Sequence, residues 1–260
     1  MSNQPAASEA LETLVRDHGD RLYAISRQLC GNDSDAEDLV QETFLNAFRA
    51  WEQFEGRSKP TTWLYTIAKR ACIRRNRKRS GEPETIESLE ELLPVGAATV
   101  PDPAALANPL NETVRRETAE RIERAIATLP VDFRLPLVLK DIAELSSPEI
   151  AEILDIPENT VKTRIHRARL KLRQVVAAQL PQTDAAPDHS IEVCLDLLLA
   201  KQEALDRGVT FEYSDQELCT RCRSMFATLD LGRDVCTRLS HRQLPDRLKQ
   251  LLQAKIESPS

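Results

Sequence analysis

Apolar residues recur along this chain at intervals of three and four, the spacing that lines one face of an α-helix. Val161, Ile165, Ala168 and Leu172 follow at steps of 4, 3 and 4, and Val40, Phe44, Ala47 and Trp51 repeat the rhythm. The composition does not favour turn-rich sheets, since 260 residues include only 7 Gly and 4% aromatics. The expected fold class is therefore all-α. A hydrophobic share of 41% supplies packed cores and excludes a disordered or collagen-like chain. No apolar run approaches the about 20 residues of a membrane span. Met1-Ser2-Asn3-Gln4-Pro5 lacks the charged start and apolar stretch of a secretion signal. Six Cys are too sparse for a disulfide scaffold, so a cytoplasmic location without membrane insertion is expected.

Leu11, Leu14, Val15, Leu22, Ile25 and Leu29 predict a helix over 9–30. Ser34, with Glu37 three residues on, predicts the cap of a second helix running to about Phe54. A third is predicted from Thr62 to Arg79, with Trp63, Ile67, Ala71 and Arg74 along one line. Pro83, Pro94, Pro101, Pro103 and Pro109 then interrupt the pattern. The organisation that follows is a helical domain over 9–80, a linker over 81–110, a second helical domain over 111–180, and a small helical unit over 189–256. That last unit holds four of the six Cys.

The net charge of −6 conceals a segregated pattern. Residues 57–79 carry nine Lys or Arg and no acid, and residues 159–173 carry six and no acid. Each basic block is followed by an acidic stretch: five Glu over 82–91, and nine acids against two bases over 181–218. Two basic surfaces on an otherwise acidic chain point to nucleic acid. Trp51, Phe54, Trp63 and Tyr65 lie in or beside the first block, a mixture suited to stacking on unpaired bases. For Trp51 and Trp63, burial in the core is the simpler expectation.

The clearest local motif lies at 146–173. Ser146-Ser147-Pro148-Glu149 starts a helix, Asp155 to Asn159 turns, and Thr160 to Leu172 forms a second, basic helix. This is a helix-turn-helix, whose second helix enters the major groove with its N-terminus leading. Asn159, Thr160, Lys162, Thr163 and Arg167 are the candidates for base edges. Arg164, Arg169, Lys171 and Arg173 are the candidates for phosphates, and His166 is expected to face solvent or phosphate.

The stretches Asp35-Ala36-Glu37-Asp38-Leu39-Val40-Gln41-Glu42-Thr43-Phe44 and Thr62-Trp63-Leu64-Tyr65-Thr66-Ile67-Ala68 resemble region 2 of bacterial RNA polymerase sigma factors of the extracytoplasmic-function type. Leu129-Pro130, Ser147 to Ala151 and Thr160 to Arg169 resemble region 4 of the same family. The resemblance implies a non-catalytic subunit that directs core polymerase to promoters and assists their opening. The helix from Asp35 would dock on the clamp of the polymerase largest subunits through Asp35, Asp38, Gln41, Glu42 and Leu45. Arg57, Lys59, Trp63, Lys69, Arg70, Arg74, Arg75 and Arg77 would hold the −10 strand, and the helix-turn-helix would read the −35 duplex. Glu82, Glu84, Glu87, Glu90 and Glu91 would let the linker mimic nucleic-acid charge in the polymerase channel. Arg70 and Arg74 stand where the family often has Asn and Asp, which implies a more backbone-driven, salt-sensitive grip. A separate anti-sigma protein is a further candidate partner.

Cys219-Thr220-Arg221-Cys222 places two thiols on one side of a helix turn, with Cys194 upstream and Cys236 downstream. The spacing is compatible with zinc without matching a standard finger. The unit resembles a zinc-binding anti-sigma domain, with Leu244-Pro245-Asp246-Arg247-Leu248 at its exit and Asp215 where that domain has His. The resemblance implies Cys194, Cys219, Cys222 and Asp215 as ligands. A thiol–disulfide switch and plain buried thiols remain alternatives. Cys236 can join only if the helix breaks at Gly232; His189 and His241 are weaker candidates, and Cys30 and Cys72 are expected in the core. The acidic 181–218 segment is expected to lie on a basic surface and hold the chain inactive. Two rival functions are a stand-alone helix-turn-helix regulator, which needs no polymerase surface, and a thiol oxidoreductase, which needs a βαβ setting that the pattern lacks.

Overall fold

The structure is a computed structural model that describes residues 4–76, 85–94, 96–102, 112–213 and 218–257. Helix α1 (Gln4–Cys30) turns at Gly31, whose φ is +80°, and leads into α2 (Asp33–Ala50). The cap of α2 is Asn32 and not Ser34: Asn32 Oδ1 accepts from the Asp35 amide at 2.8 Å, so the helix begins two residues earlier than predicted. It gives way to a single 3-10 turn, Trp51–Gln53, before Phe54.

Helix α3 (Pro60–Asn76) packs on α1 and α2. Its buried face is Leu64, Tyr65, Ala68, Ala71 and Cys72, while Trp63 and Ile67 are half-buried and Arg74 is exposed. The helix carries two adjacent apolar lines: Ala71 of the predicted one is buried, and Leu64, Tyr65, Ala68 and Cys72 of the other complete the face in the core. Trp51 and Trp63 are likewise only half-buried.

The described part of the linker contains two short elements. Residues 89–92 form a one-turn helix, α4 (Leu89–Leu92), with Ser88 and Glu91 capping each other. Strand β1 (Ala98–Pro101) then pairs antiparallel with β2 (Gln182–Ala185), in the register Ala98↔Ala185 to Pro101↔Gln182. The chain is mostly helical, as expected, and among the described residues this ladder is the one addition to it. Four-residue strands are too short to show a period, and each needs a partner remote in sequence.

The second domain comprises α5 (Glu112–Thr128), α6 (Val131–Asp141), α7 (Ser147–Leu154) and α8 (Glu158–Ala177). The Ser146–Glu149 capping box forms as predicted, and Asp155 closes α7 in the left-handed region at φ 57°. The last unit consists of α9 (Ile191–Arg207), α10 (Thr220–Leu239) and α11 (Asp246–Glu257). Helix α10 passes Gly232 unbroken and packs on α8 and α5. Helix α11 crosses to α1 and α2. Gly19 allows this crossing: a Cβ there would meet Leu244 Cδ2 at 3.1 Å. Glu123 on α5 knots the units together, accepting from Gln28 of α1 at 3.2 Å and from Arg242 at 2.9 and 3.0 Å. The units predicted as separate thus share one continuous apolar core.

Candidate nucleic-acid interface

The α2 face predicted to bind polymerase lies on the outside. Asp38 is exposed, and Asp35, Gln41, Glu42 and Leu45 are half-buried. Glu42 accepts from Arg74 Nη2 at 2.6 Å and from Arg75 Nε at 3.2 Å, and Asp38 lies 3.7 Å from Arg75. Partial burial works to raise the Glu42 pKa, but the two guanidinium groups outweigh it and hold the carboxyl below its usual range. Acidic and basic candidates assigned to two partners therefore form one patch, in which Arg74 and Arg75 are drawn onto α2.

At the other end of α3, Trp51, Phe54 and Trp63 form a ring cluster with centroids 5.1 to 5.7 Å apart. Beside it, Arg57 pairs with Glu55 on an exposed loop. Lys59 donates to Glu149 of α7 at 2.8 Å, so the first basic surface touches the helix-turn-helix. That bond, with those from Ser146, pulls the Glu149 carboxyl down to about 2. Lys69 is half-buried, which lowers its pKa, and Arg70 is exposed. Arg77 lies outside the described residues, as do Glu82 and Glu84.

The α8 face departs most from expectation. Asn159 and Thr163 are exposed and Thr160 half-buried, as a reading helix requires. Arg167 instead donates to the carbonyls of Ile86 and Glu87, both at 2.8 Å, and Lys171 reaches the Glu87 carboxylate at 2.7 Å. Glu87 of the linker thereby engages two cations that were expected to face DNA. Lys162 lies 3.4 Å from Glu158 and 3.5 Å from Glu203, and Arg164 lies 3.2 Å from Asp132.

Three residues assigned to the outside are buried: His166, Arg169 and Arg173. Arg169 holds both oxygens of Asp141, at 2.6 and 2.9 Å, and reaches Asp206 of α9 at 2.7 Å. Burial disfavours its charge, but the two carboxylates overcome that and raise its pKa. His166 Nε2 lies 3.0 Å from the other Asp206 oxygen. Burial raises the Asp206 pKa, yet His166 and Arg169 bring it below the usual value. Arg173 donates to Thr228 of α10 at 3.1 Å, and burial pushes it down to about 10. The phosphate role expected of Arg169 and Arg173 is thus not open to them in this arrangement. The signal for these partners was in the sequence: Gln202, Glu203 and Asp206 share one face of α9 at helical spacing. Nothing in the order of residues says which basic surface that face meets.

Cys194, Cys219 and Cys222 are buried and adjacent. Cys219 caps α10, its Sγ accepting from the Cys222 amide at 3.4 Å, and Arg221 Nη2 lies 3.1 Å from Cys194 Sγ. Burial works to raise the Cys219 pKa, but backbone donors bring it below the ordinary thiol value; burial and the two neighbouring sulfurs push Cys222 up. Among the described residues, no group of three or more His, Cys, Asp or Glu stands ready to hold a metal ion, and Asp215 lies outside them. Cys236 is buried on the unbroken α10, and Cys30 and Cys72 are buried in the core. No described helix is long and apolar enough to cross a membrane.

A family model for Sigma-70 region 2 matches residues 14–82, and one for Sigma-70 region 4 matches residues 119–172. The chain is similar to ECF RNA polymerase sigma factor SigW of Bacillus subtilis, 38% identical over 170 residues that span 64% of this chain and 88% of that protein. It is also similar to ECF RNA polymerase sigma factor SigE of Mycolicibacterium smegmatis, 35% identical over 68% of this chain and 66% of that one. A solved structure of CnrH in complex with the cytosolic domain of CnrY aligns with 66% of this chain and 93% of its own, at 25% identity and a TM-score of 0.47. Both family matches stop short of α9, α10 and α11.

Proposed function

This chain belongs to the extracytoplasmic-function family of RNA polymerase sigma factors, and from that we propose that it directs core polymerase to promoters and that its own C-terminal helices hold it closed until a signal releases them. The outer face of α2, with Asp38, Gln41 and Leu45, meets the polymerase clamp. The ring cluster of Trp51, Phe54 and Trp63 with the cations around it takes the melted −10 strand, since stacking suits unpaired bases. Asn159, Thr160 and Thr163 lead α8 into the −35 groove. What carries the closed state is a single observation: Asp206 of α9 is bonded to Arg169 and His166 of α8, the helix that would read DNA. Glu87 and Glu203 occupy Lys171, Arg167 and Lys162 beside it. A helix held this way cannot bring those cations to phosphate.

Purified chain mixed with core polymerase is expected to co-elute with it and to give run-off transcripts from genomic fragments. Asp38→Arg combined with Gln41→Arg is expected to reduce co-elution at least tenfold while the chain stays folded, because Asp38 is exposed and its pair with Arg75 is of the surface kind that contributes little. A chain that grips duplex DNA unaided and never joins polymerase would be a stand-alone helix-turn-helix regulator.

The thiol group is proposed as the sensor. Zinc is a soft-ligand ion that thiolates hold well. Cys194, Cys219 and Cys222, with Asp215, would supply its donors, and the chemistry fits in one respect: backbone donors hold the Cys219 thiol below its ordinary range. Loss of the ion would loosen the start of α10. Chain purified without chelator is expected to contain one equivalent of zinc by mass spectrometry, released by a thiol-blocking reagent and absent from Cys219→Ser. Metal-free chain with an unchanged thermal transition rejects the metal and leaves the thiols as core or redox groups.

A further inference from the structure

An open cavity of about 960 Å³ lies between α9, residues 208–213 after it, Leu218 and α10. That is the size of a small-molecule site. Its apolar wall is aromatic. Phe211 stacks on Tyr213 with centroids 4.6 Å apart and meets Phe226 edge-on at 5.1 Å. Its polar rim is biased toward cations, with Lys201, Arg223 and Arg233 against Asp102 and Asp230. Lys201 is already matched by Asp230 at 2.6 Å. Arg233 enters no ion pair among the described residues. Its Nη2 lies 3.8 Å from where a Cβ on Gly208 would stand, at the end of α9 that also carries Asp206.

Phe211 already carries Lys201 Nζ 5.7 Å from its centroid, and the remaining ring surface beside a guanidinium with no ion pair among the described residues suits a planar aromatic body bearing a negative group. We propose that this cavity binds a small aromatic anion, a ring system with a carboxylate or sulfonate, and that the bound anion fastens α9 to α10. The fastening rests on the reading that α9 covers the DNA helix. Helix α10 packs on α8 directly. A ligand that bridges α10 and α9 therefore holds Asp206 over Arg169, and one that binds only this arrangement enriches it by mass action.

The probe is 8-anilinonaphthalene-1-sulfonate, titrated into the full chain and followed by its fluorescence. One saturable equivalent is expected. Arg233→Glu should weaken it at least tenfold and Arg233→Lys less than threefold. Arg233 is half-exposed, so both variants should melt with the parent chain, and Phe211→Leu gives a second test of the same wall. Equal binding by the parent and Arg233→Glu overturns the site. Run-off transcription should fall with probe in the parent and not in Arg233→Glu; selective binding without that fall overturns the fastening. Failure of the closed-state reading is separate: Asp206→Ala would then leave probe-free transcription at the parental level, whatever the probe does.

Discussion

Arg169→Met is expected to lower the free energy of unfolding by about 3–5 kcal/mol, the usual cost of breaking a buried ion pair by removing one partner. Arg169 is flanked by Asp141 and Asp206, with side chains 5% and 4% exposed in both contacts. Removing the cation leaves two carboxylates facing each other out of water. Urea unfolding monitored by circular dichroism measures the loss. Adding Asp141→Asn and Asp206→Asn should recover much of it, because coupled groups are not additive. A loss under about 1 kcal/mol would mean that the pair is solvated, as surface pairs are. An arginine serving only as a phosphate contact predicts that smaller value.

Asp206→Ala is expected to act in the opposite sense on function. It leaves Arg169 its Asp141 partner and removes two of the bonds that tie α9 to α8, while those of Gln202 to Arg169 and to the His166 carbonyl remain. Each charged hydrogen bond is worth about 1.5–3 kcal/mol. Even the lower figure shifts an open–closed equilibrium about tenfold. Transcription at limiting factor should rise by that order, and amide exchange along α9 should quicken while α2 and α3 keep their protection. Unchanged exchange and unchanged transcription would mean that the closed arrangement does not restrain the chain.

The two predictions separate what the linear order of residues carried from what it did not. The periodic spacing of Val161, Ile165, Ala168 and Leu172, the Ser146–Glu149 box and the Asp155 turn specify the helix-turn-helix, and these are local matters of backbone hydrogen bonding and one apolar stripe. The region-2 and region-4 motifs were equally legible, and the family matches cover the stretches that carry them. Where two local choices were nearly equal, locality was not enough. The buried line of α3 went to Leu64 and Ala68, which join the core that α3 shares with α1 and α2.

Charge was read correctly as a pattern and wrongly as a surface. Six bases without an acid say that α8 is basic, but a basic residue is exposed only if no carboxylate from elsewhere reaches it. Asp141, Asp206 and Glu87 come from three other segments, and their arrival turns Arg169 and His166 into buried groups and Lys171 into a paired one. By itself the sequence determined the long helices, the Ser146–Glu149 cap and the family. Only the tertiary structure decided which charges meet, because an ion pair depends on separation in space, and segments far apart along the chain are brought to that separation by the shared core alone.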